Sequence, residues 1–340
     1  MKKIALLLTL SAALYLCAGE SYSFHLISDL HLGPADTYHA TRFKGNRQRA
    51  DLSTPALKNM LSRICKNTPD TKFVIQLGDL IEGNTKGTAE HRKQIRSALD
   101  LLKESCPCPV YHTMGNHEPF GLGAAEALKA ELLPEIAKTI NKKQINFVNY
   151  SFFHGDDLFI FSDYRRPAKG SQFITDTLKA LKKKPRYVFI ACHIPVTFLT
   201  RTELADTLAQ YNAVVMSGHI HWNTLLHYTK NGKTMTQITV TTQLPAKNPA
   251  KQRIRISTTE KKVFRDFIEK QAKKHKKKNY MEYYTKEWEP YITSFTTYRG
   301  SGVTTVHVSD NGIILERNGS DPAGKPIVIT ILKKIRQNKQ

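Results

Sequence analysis

Five short blocks constrain this chain more than anything else in it. Each closes an apolar run of strand length and sets Asp, Asn or His where the run ends. They are Asp29-Leu30-His31 after Phe24 to Ile27, Gly78-Asp79-Leu80-Ile81-Glu82 after Phe73 to Leu77, and Gly115-Asn116-His117-Glu118 after Val110 to Met114. His193 follows Tyr187 to Ala191, and Gly218-His219-Ile220-His221 follows Ala213 to Met216. Helix-period stretches separate the runs, and strands alternating with helices are the pattern of parallel βαβ units. The carboxyl ends of parallel strands share one edge, where ligand sites assemble.

The intervening segments fill in the frame. A polar loop over 33–50 leads to a helix with Ser53 or Thr54 as N-cap, Pro55 in its first turn, and Leu57, Met60, Leu61 and Ile64 on its apolar face. Further helices are expected around Ile95 to Leu102, Leu128 to Ile136, 171–183 and 202–210. Hairpins are expected over 146–162, over 224–240 with a turn at Asn231-Gly232, and over 303–315 around Asp310-Asn311-Gly312. Ser257 to Lys274 reads as a helix with Val263, Phe264, Phe267 and Ile268 on one face. The fold class is α/β: two packed mixed β-sheets flanked by helices, a four-layer sandwich. Residues 20–340 read as one domain, ending in a basic helix and a C-terminal hairpin over about 257–340.

The side chains in the blocks have a shared chemistry. Imidazole mixed with carboxylate and amide oxygen suits borderline-to-hard divalent ions such as Mn, Fe or Zn. Only Cys192 adjoins the set, and on a strand its side chain should point away from that of His193, so a thiolate site is not expected. Taken singly, an Asp-x-His pair is most often a surface accident and a lone His a satisfied core residue. Their order and placement together make coincidence improbable. Histidine is 13 of 340 residues, and five of the thirteen fall in these blocks.

The set resembles the calcineurin-like metallophosphoesterase superfamily, whose signature runs D-x-H, G-D-x-x-[DE], G-N-H-[DE], H and G-H-x-H, here over residues 29–221. The resemblance implies that Asp79 bridges two metals, with Asp29, His31 and His221 on one and Asn116, His193 and His219 on the other. It further implies that His117 contacts the phosphate and protonates the leaving group, with Glu118 orienting it. The expected reaction is in-line attack on phosphorus by a hydroxide bridging the two ions. Two relatives of that superfamily fit less well. Purple acid phosphatases carry a metal-binding tyrosine after the second-motif aspartate, where this chain has Leu80 to Glu82, and Ser/Thr protein phosphatases continue Asp-Arg-Gly, where it reads Glu82-Gly83-Asn84. The stretches 79–83, 112–118 and Phe161-Ser162-Asp163-Tyr164 resemble the manganese-dependent ADP-ribose/CDP-alcohol diphosphatase branch, which implies a nucleotide-linked diphosphate as substrate.

Charge and cysteines bound the rest. The formal net charge is +22, which favours an anionic, phosphorylated small-molecule partner. Arg42, Arg47, Arg165 and Arg166 are candidates to hold a second phosphate through paired hydrogen bonds, although each read alone is as readily an ordinary surface arginine. Residues 261–278 hold nine Lys or Arg against two acids, which raises a nucleic-acid phosphodiesterase as the rival reading. The aromatics of that run, Phe264 and Phe267, share its apolar face and are not obviously interleaved with the cations, so a solvated helix face is the simpler account. A non-catalytic phosphate-binding protein is a second rival, against which the complete ligand set argues. Lys2 and Lys3 followed by the apolar run Ile4 to Leu16 and small residues to Gly19 read as a cleavable signal peptide over 1–19, implying a periplasmic or secreted protein. No later stretch is apolar for long enough to cross a bilayer. Cys65, Cys106, Cys108 and Cys192 then remain. Export permits a disulfide, with one bridge between Cys65 and the Cys106/Cys108 segment expected and Cys192 left as a free thiol. Oligomeric state has no sequence signal.

Overall fold

A computed structural model describes residues 20–37, 44–163, 167–198, 202–241, 255–274, 279–319 and 324–333, with only the backbone described over 44–54. Residues 1–19, the expected signal peptide, lie outside this range. Among the described residues no helix is long and apolar enough to cross a membrane.

Among the described residues, fourteen strands form two sheets. The first contains β1 (Tyr22–Ile27), β2 (Thr71–Gln76), β3 (Val110–His112), β12 (Gly302–Ser309), β13 (Gly312–Gly319) and β14 (Ile327–Lys333), ordered β14-β13-β12-β1-β2-β3. The second contains β4 (Tyr150–His154), β5 (Asp157–Ser162), β6 (Val188–Cys192), β7 (Val214–Ser217), β8 (Asn223–Lys230), β9 (Lys233–Thr239), β10 (Arg255–Thr258) and β11 (Ile292–Arg299), ordered β10-β11-β8-β9-β7-β6-β5-β4. β1, β2 and β3 run parallel, with Leu26 beside Ile75 and Gln76 beside His112. β5, β6, β7 and β9 are likewise parallel. The parallel strands are what bring the five blocks to common edges.

Period-2 alternation decides what each strand packs against. Phe159 and Phe161 of β5 face the first sheet, where Phe159 lies 5.5 Å from the ring of Phe24. Leu158 and Ile160 face outward, in a second core with Ile174 and Leu178 of the helix Pro167–Lys179 and Leu204 and Leu208 of the helix Glu203–Gln210. β1 is buried along its whole length because both faces of its sheet are covered. Its polar His25 is satisfied by Thr71 and Thr305, each at 3.0 Å.

Several expectations shift. The first helix starts at Lys44 rather than at residue 53 and runs to Asn67, with Pro55 inside it. Residues 44–51 offer no apolar face and include Gly45 and Asn46, so hydrophobic periodicity and propensity both missed them, and Pro55 mimicked a helix start. Residues 255–258 are strand β10, and the basic helix begins only at Lys261. Val303 to Leu315 is a hairpin as expected, but it extends into a third strand, β14. The four cysteines are all free thiols, so the expected bridge is not formed. Cys65 does meet both Cys106 and Cys108 through side-chain hydrogen bonds.

One buried ion pair ties the sheets. Arg186 holds the fully buried Asp157 through Nε at 2.9 Å and Nη2 at 2.6 Å, and reaches Asp310 at 2.7 Å. Tyr22 Oη adds a 2.7 Å bond to the same carboxylate. Arg186→Ala should cost about 3–5 kcal/mol in urea unfolding, because it strands a buried charge. A loss under about 1 kcal/mol would show that Asp157 finds another cation or takes up a proton.

Candidate metal centre

The turns that end the parallel strands are bent in an unusual way. Among the described residues, the non-glycine positions with left-handed backbone are Asp29, His31, Asp79, His219 and His221 together with four asparagines. Asparagine tolerates this region; histidine and aspartate adopt it at a cost, and such strain gathers at functional sites. The strain bends each turn so that successive side chains converge. Glycines then allow the loops to touch: a Cβ on Gly115 would overlap the Asp79 carboxylate, and one on Gly218 would overlap that of Asp29.

Two groups of ligand atoms result, with Asp79 linking them. In the first, His221 Nε2 lies 3.1 Å from Asp29 Oδ1 and 3.4 Å from His31 Nε2. In the second, His193 Nε2 lies 3.2 Å from Asp79 Oδ2 and 3.1 Å from Asn116 Oδ1, while His219 Nδ1 lies 2.9 Å from Asn116 Oδ1 and 3.3 Å from His193 Nε2. Asp79 also clusters with His31 and His117, so its carboxylate lies between the groups. The floor is buried (Asp29, His31, Asp79, His193), and the rim of Asn116, His117, His219 and His221 is open to solvent. Ring nitrogens this close, all aimed inward, suit a cation between them. The donor set contains no thiolate and fits Mn, Fe or Zn.

The surroundings fix which atoms point inward. His193 Nδ1 bonds the Leu77 carbonyl at 2.8 Å, leaving Nε2 toward the site. His31 Nδ1 lies 3.3 Å from the Glu82 carboxylate, the arrangement that orients a metal-binding imidazole. Asp29 accepts from Ser28 Oγ at 2.6 Å and from the His219 amide. The electrostatics match. Burial would raise the Asp79 carboxyl, but the imidazoles of His193, His31 and His117 hold it well below the usual carboxylate range. Burial likewise opposes charge on His31 and His193, yet Glu82 and Asp79 raise His31, and Asp79 raises His193, each to about 9. His219 is pushed down to about 4 by burial and then by His193. Buried carboxylates here stabilise positive charge, and bound cations would satisfy them in place of protons.

Glu118 plays another part than the one expected of it. Its carboxylate accepts backbone N–H bonds from Gly115 at 2.6 Å, Asp79 at 3.1 Å and Leu80, joining the second and third turns. Burial, then the neighbouring Asp79, pushes its carboxyl up to about 7. The His117 ring is oriented instead by the Glu82 carbonyl, 2.6 Å from Nδ1. Glu82 was therefore the underestimated residue, although the final acid of G-D-x-x-[DE] was its signal. Glu82→Gln should weaken uptake of the metal that His31 would hold by about 10–100-fold, read by calorimetry; unchanged affinity would remove Glu82 from the site. Of the substrate candidates, Arg42, Arg165 and Arg166 lie outside the described residues. Arg47 falls on the backbone of the first helix, beyond its expected loop.

The model of the calcineurin-like phosphoesterase family matches residues 22–223. No curated protein sequence matches the chain. Among solved structures, the purple acid phosphatase PPD1 from yellow lupin (Lupinus luteus) seeds is similar with a TM-score of 0.54 at 13% identity, over 92% of this chain and 54% of that one. This chain thus spans about half the length of the lupin protein. A dimetal phosphatase from Danio rerio gives 0.52 at 14% identity, over 91% of this chain and 98% of the other. GAP50, the anchor in the inner membrane complex of Plasmodium, gives 0.50 at 14%, over 93% and 90%. At such identities the likeness is one of fold.

Proposed function

Because this chain belongs to the calcineurin-like phosphoesterase family, we propose that it is a dinuclear-metal phosphoesterase acting on a phosphate mono- or diester or a nucleotide-linked diphosphate. The observation that carries the reading is that Asp79, which clusters both with His193 and His219 and with His31 of the Asp29-His31-His221 group, links the two ligand groups. Asp29, His31, His221 and Asp79 would hold one divalent ion, and Asp79, Asn116, His193 and His219 the other. When bound, such ions supply Lewis-acid polarisation of the phosphoryl group and a water made acidic enough to attack near neutral pH.

The chain's own residues supply the rest. His117 stands on the rim with Nε2 4.0 Å from Asp79 Oδ2 and its amide on Asp79 Oδ1 at 2.9 Å, so ring and bridging carboxylate move together. With Nδ1 donating to Glu82, Nε2 is the nitrogen turned to a substrate. In the imidazolium form it donates to a phosphoryl oxygen or to the leaving oxygen as the P–O bond breaks. Asn116 keeps its neutral amide oxygen toward the second group, so the site stays cationic overall and favours a phosphate dianion.

The residues of the basic helix favour no nucleic-acid role. Lys262 pairs with Asp266 at 2.8 Å, Lys273 with Glu269 at 2.6 Å and Arg265 with Glu289 at 3.5 Å, the habit of a solvated face. The N-terminal apolar run supports export with cleavage near Gly19; the mass of the mature chain tests it. For substrate class, the Mn-reconstituted protein is assayed on phosphomonoesters, phosphodiesters and nucleotide diphosphates. Hydrolysis of at least one class, abolished by chelator and restored by Mn, is expected. Inertness toward all three with metal bound would contradict the reading.

A further inference from the structure

Arg317 is a feature of the core that stability alone does not explain. It stands on β13, paired with Thr304 of β12 and Ile327 of β14, and its side chain is fully buried. No carboxylate among the described residues pairs with it. Its guanidinium bonds Thr304 Oγ1 of its own sheet at 3.2 Å and crosses the gap between the sheets to Asn223 Oδ1 at 3.1 Å and the Thr224 carbonyl at 3.0 Å. The Tyr298 ring lies 4.7 Å from its Cζ, and Nε has no hydrogen-bond partner. Burial pulls the group down to about 10, so it remains a cation at neutral pH. Burying a charge opposed only by dipoles and one aromatic face is costly, and an apolar side chain of similar length would stabilise the core better.

What the arginine holds runs directly to the metal-binding turn. Asn223 Oδ1, which accepts from Arg317, also accepts the Thr241 amide at 3.0 Å. Thr241 Oγ1 in turn donates to the His221 carbonyl at 2.7 Å. Asn223 is further fixed by its Nδ2, which donates to the Gly300 carbonyl at 2.8 Å. His221, like His219, needs such support. Its imidazole is 47% exposed, and its backbone is left-handed at φ 54°, so neither burial nor local preference holds it.

We infer that Arg317 is a positioning residue for the metal centre, acting through Asn223 and Thr241 to hold the His219–His221 turn so that His221 meets Asp29 and His31. The inference rests on the dinuclear reading above and adds a residue from the chain beyond the family match at 22–223.

The test is calorimetric titration of Mn²⁺ into chelator-stripped full-length protein, with the melting temperature of the metal-free form measured beside it. Arg317→Met keeps the length and removes the fork. Thr241→Val removes only the hydroxyl on the His221 carbonyl and serves if Arg317→Met does not fold. The expected result is loss of about 10–100-fold in affinity at one of two sites for Arg317→Met, a comparable loss at the same site for Thr241→Val, and a metal-free melting temperature unchanged or raised for Arg317→Met. Wild-type affinity at both sites in the variants would overturn the inference and leave the dinuclear reading standing. So would equal weakening of both sites with a lower metal-free melting temperature, the mark of a structural strut. A wild-type protein that takes up no Mn²⁺ would overturn both.

Discussion

Asp79→Ala should strip the protein of most of both metals and reduce hydrolysis by at least about 10³-fold, since several kcal/mol of Lewis-acid stabilisation go with them. The residue is 1% exposed, and its two oxygens serve different partners: Oδ1 takes the His117 amide at 2.9 Å and Oδ2 faces His193 Nε2 at 3.2 Å. Its backbone is left-handed at φ 52°, so alanine adds strain to the loss of charge. Asp79→Asn separates the two effects. Asparagine tolerates that backbone and keeps the bond to the His117 amide, yet as a neutral amide it is a poor bridge between two dications. Metal content by elemental analysis should fall in both variants, while the melting temperature of the metal-free protein falls mainly in the alanine variant. Full occupancy in Asp79→Asn would remove Asp79 from the bridging position.

His117→Asn should behave in the opposite sense, with near-normal metal content and turnover lowered by about 10²–10⁴-fold. The ring is held by the Glu82 carbonyl on one side and reaches Asp79 only at 4.0 Å, so no ligand bond depends on it. A proton delivered to the leaving oxygen matters most when that oxygen is basic. The defect should therefore grow with the leaving-group pKa and shrink for nitrophenyl esters. A uniform defect would leave His117 only an electrostatic role, and an emptied site would make it a ligand.

Much of this centre was legible because parallel strands impose a rule: an apolar run ends, and the next residues stand at the shared edge. Asp29, Asp79, Asn116, His193 and His219 could be placed together on that rule without coordinates. The supporting residues obey no such rule. The family resemblance implies that Glu118 orients His117, but its side chain turns inward onto the amides of Asp79 and Gly115. Glu82 reaches His31 only because β1 and β2 run side by side. Arg317 looks in sequence like any charged strand residue and gave no sign that its neighbours would bury it. β11 mixes Thr and Ser among its apolar positions, and the polar start of the first helix offers no stripe, so hydrophobic patterning passed over both.

The most direct test of the central claim is hydrolysis of an activated phosphodiester followed while Mn²⁺ is titrated into the chelator-stripped chain. The account predicts activity that rises to saturation at two equivalents per chain, with two ions retained on elemental analysis. Full turnover by the metal-free chain, or saturation at one retained ion, would contradict a dinuclear centre bridged by Asp79.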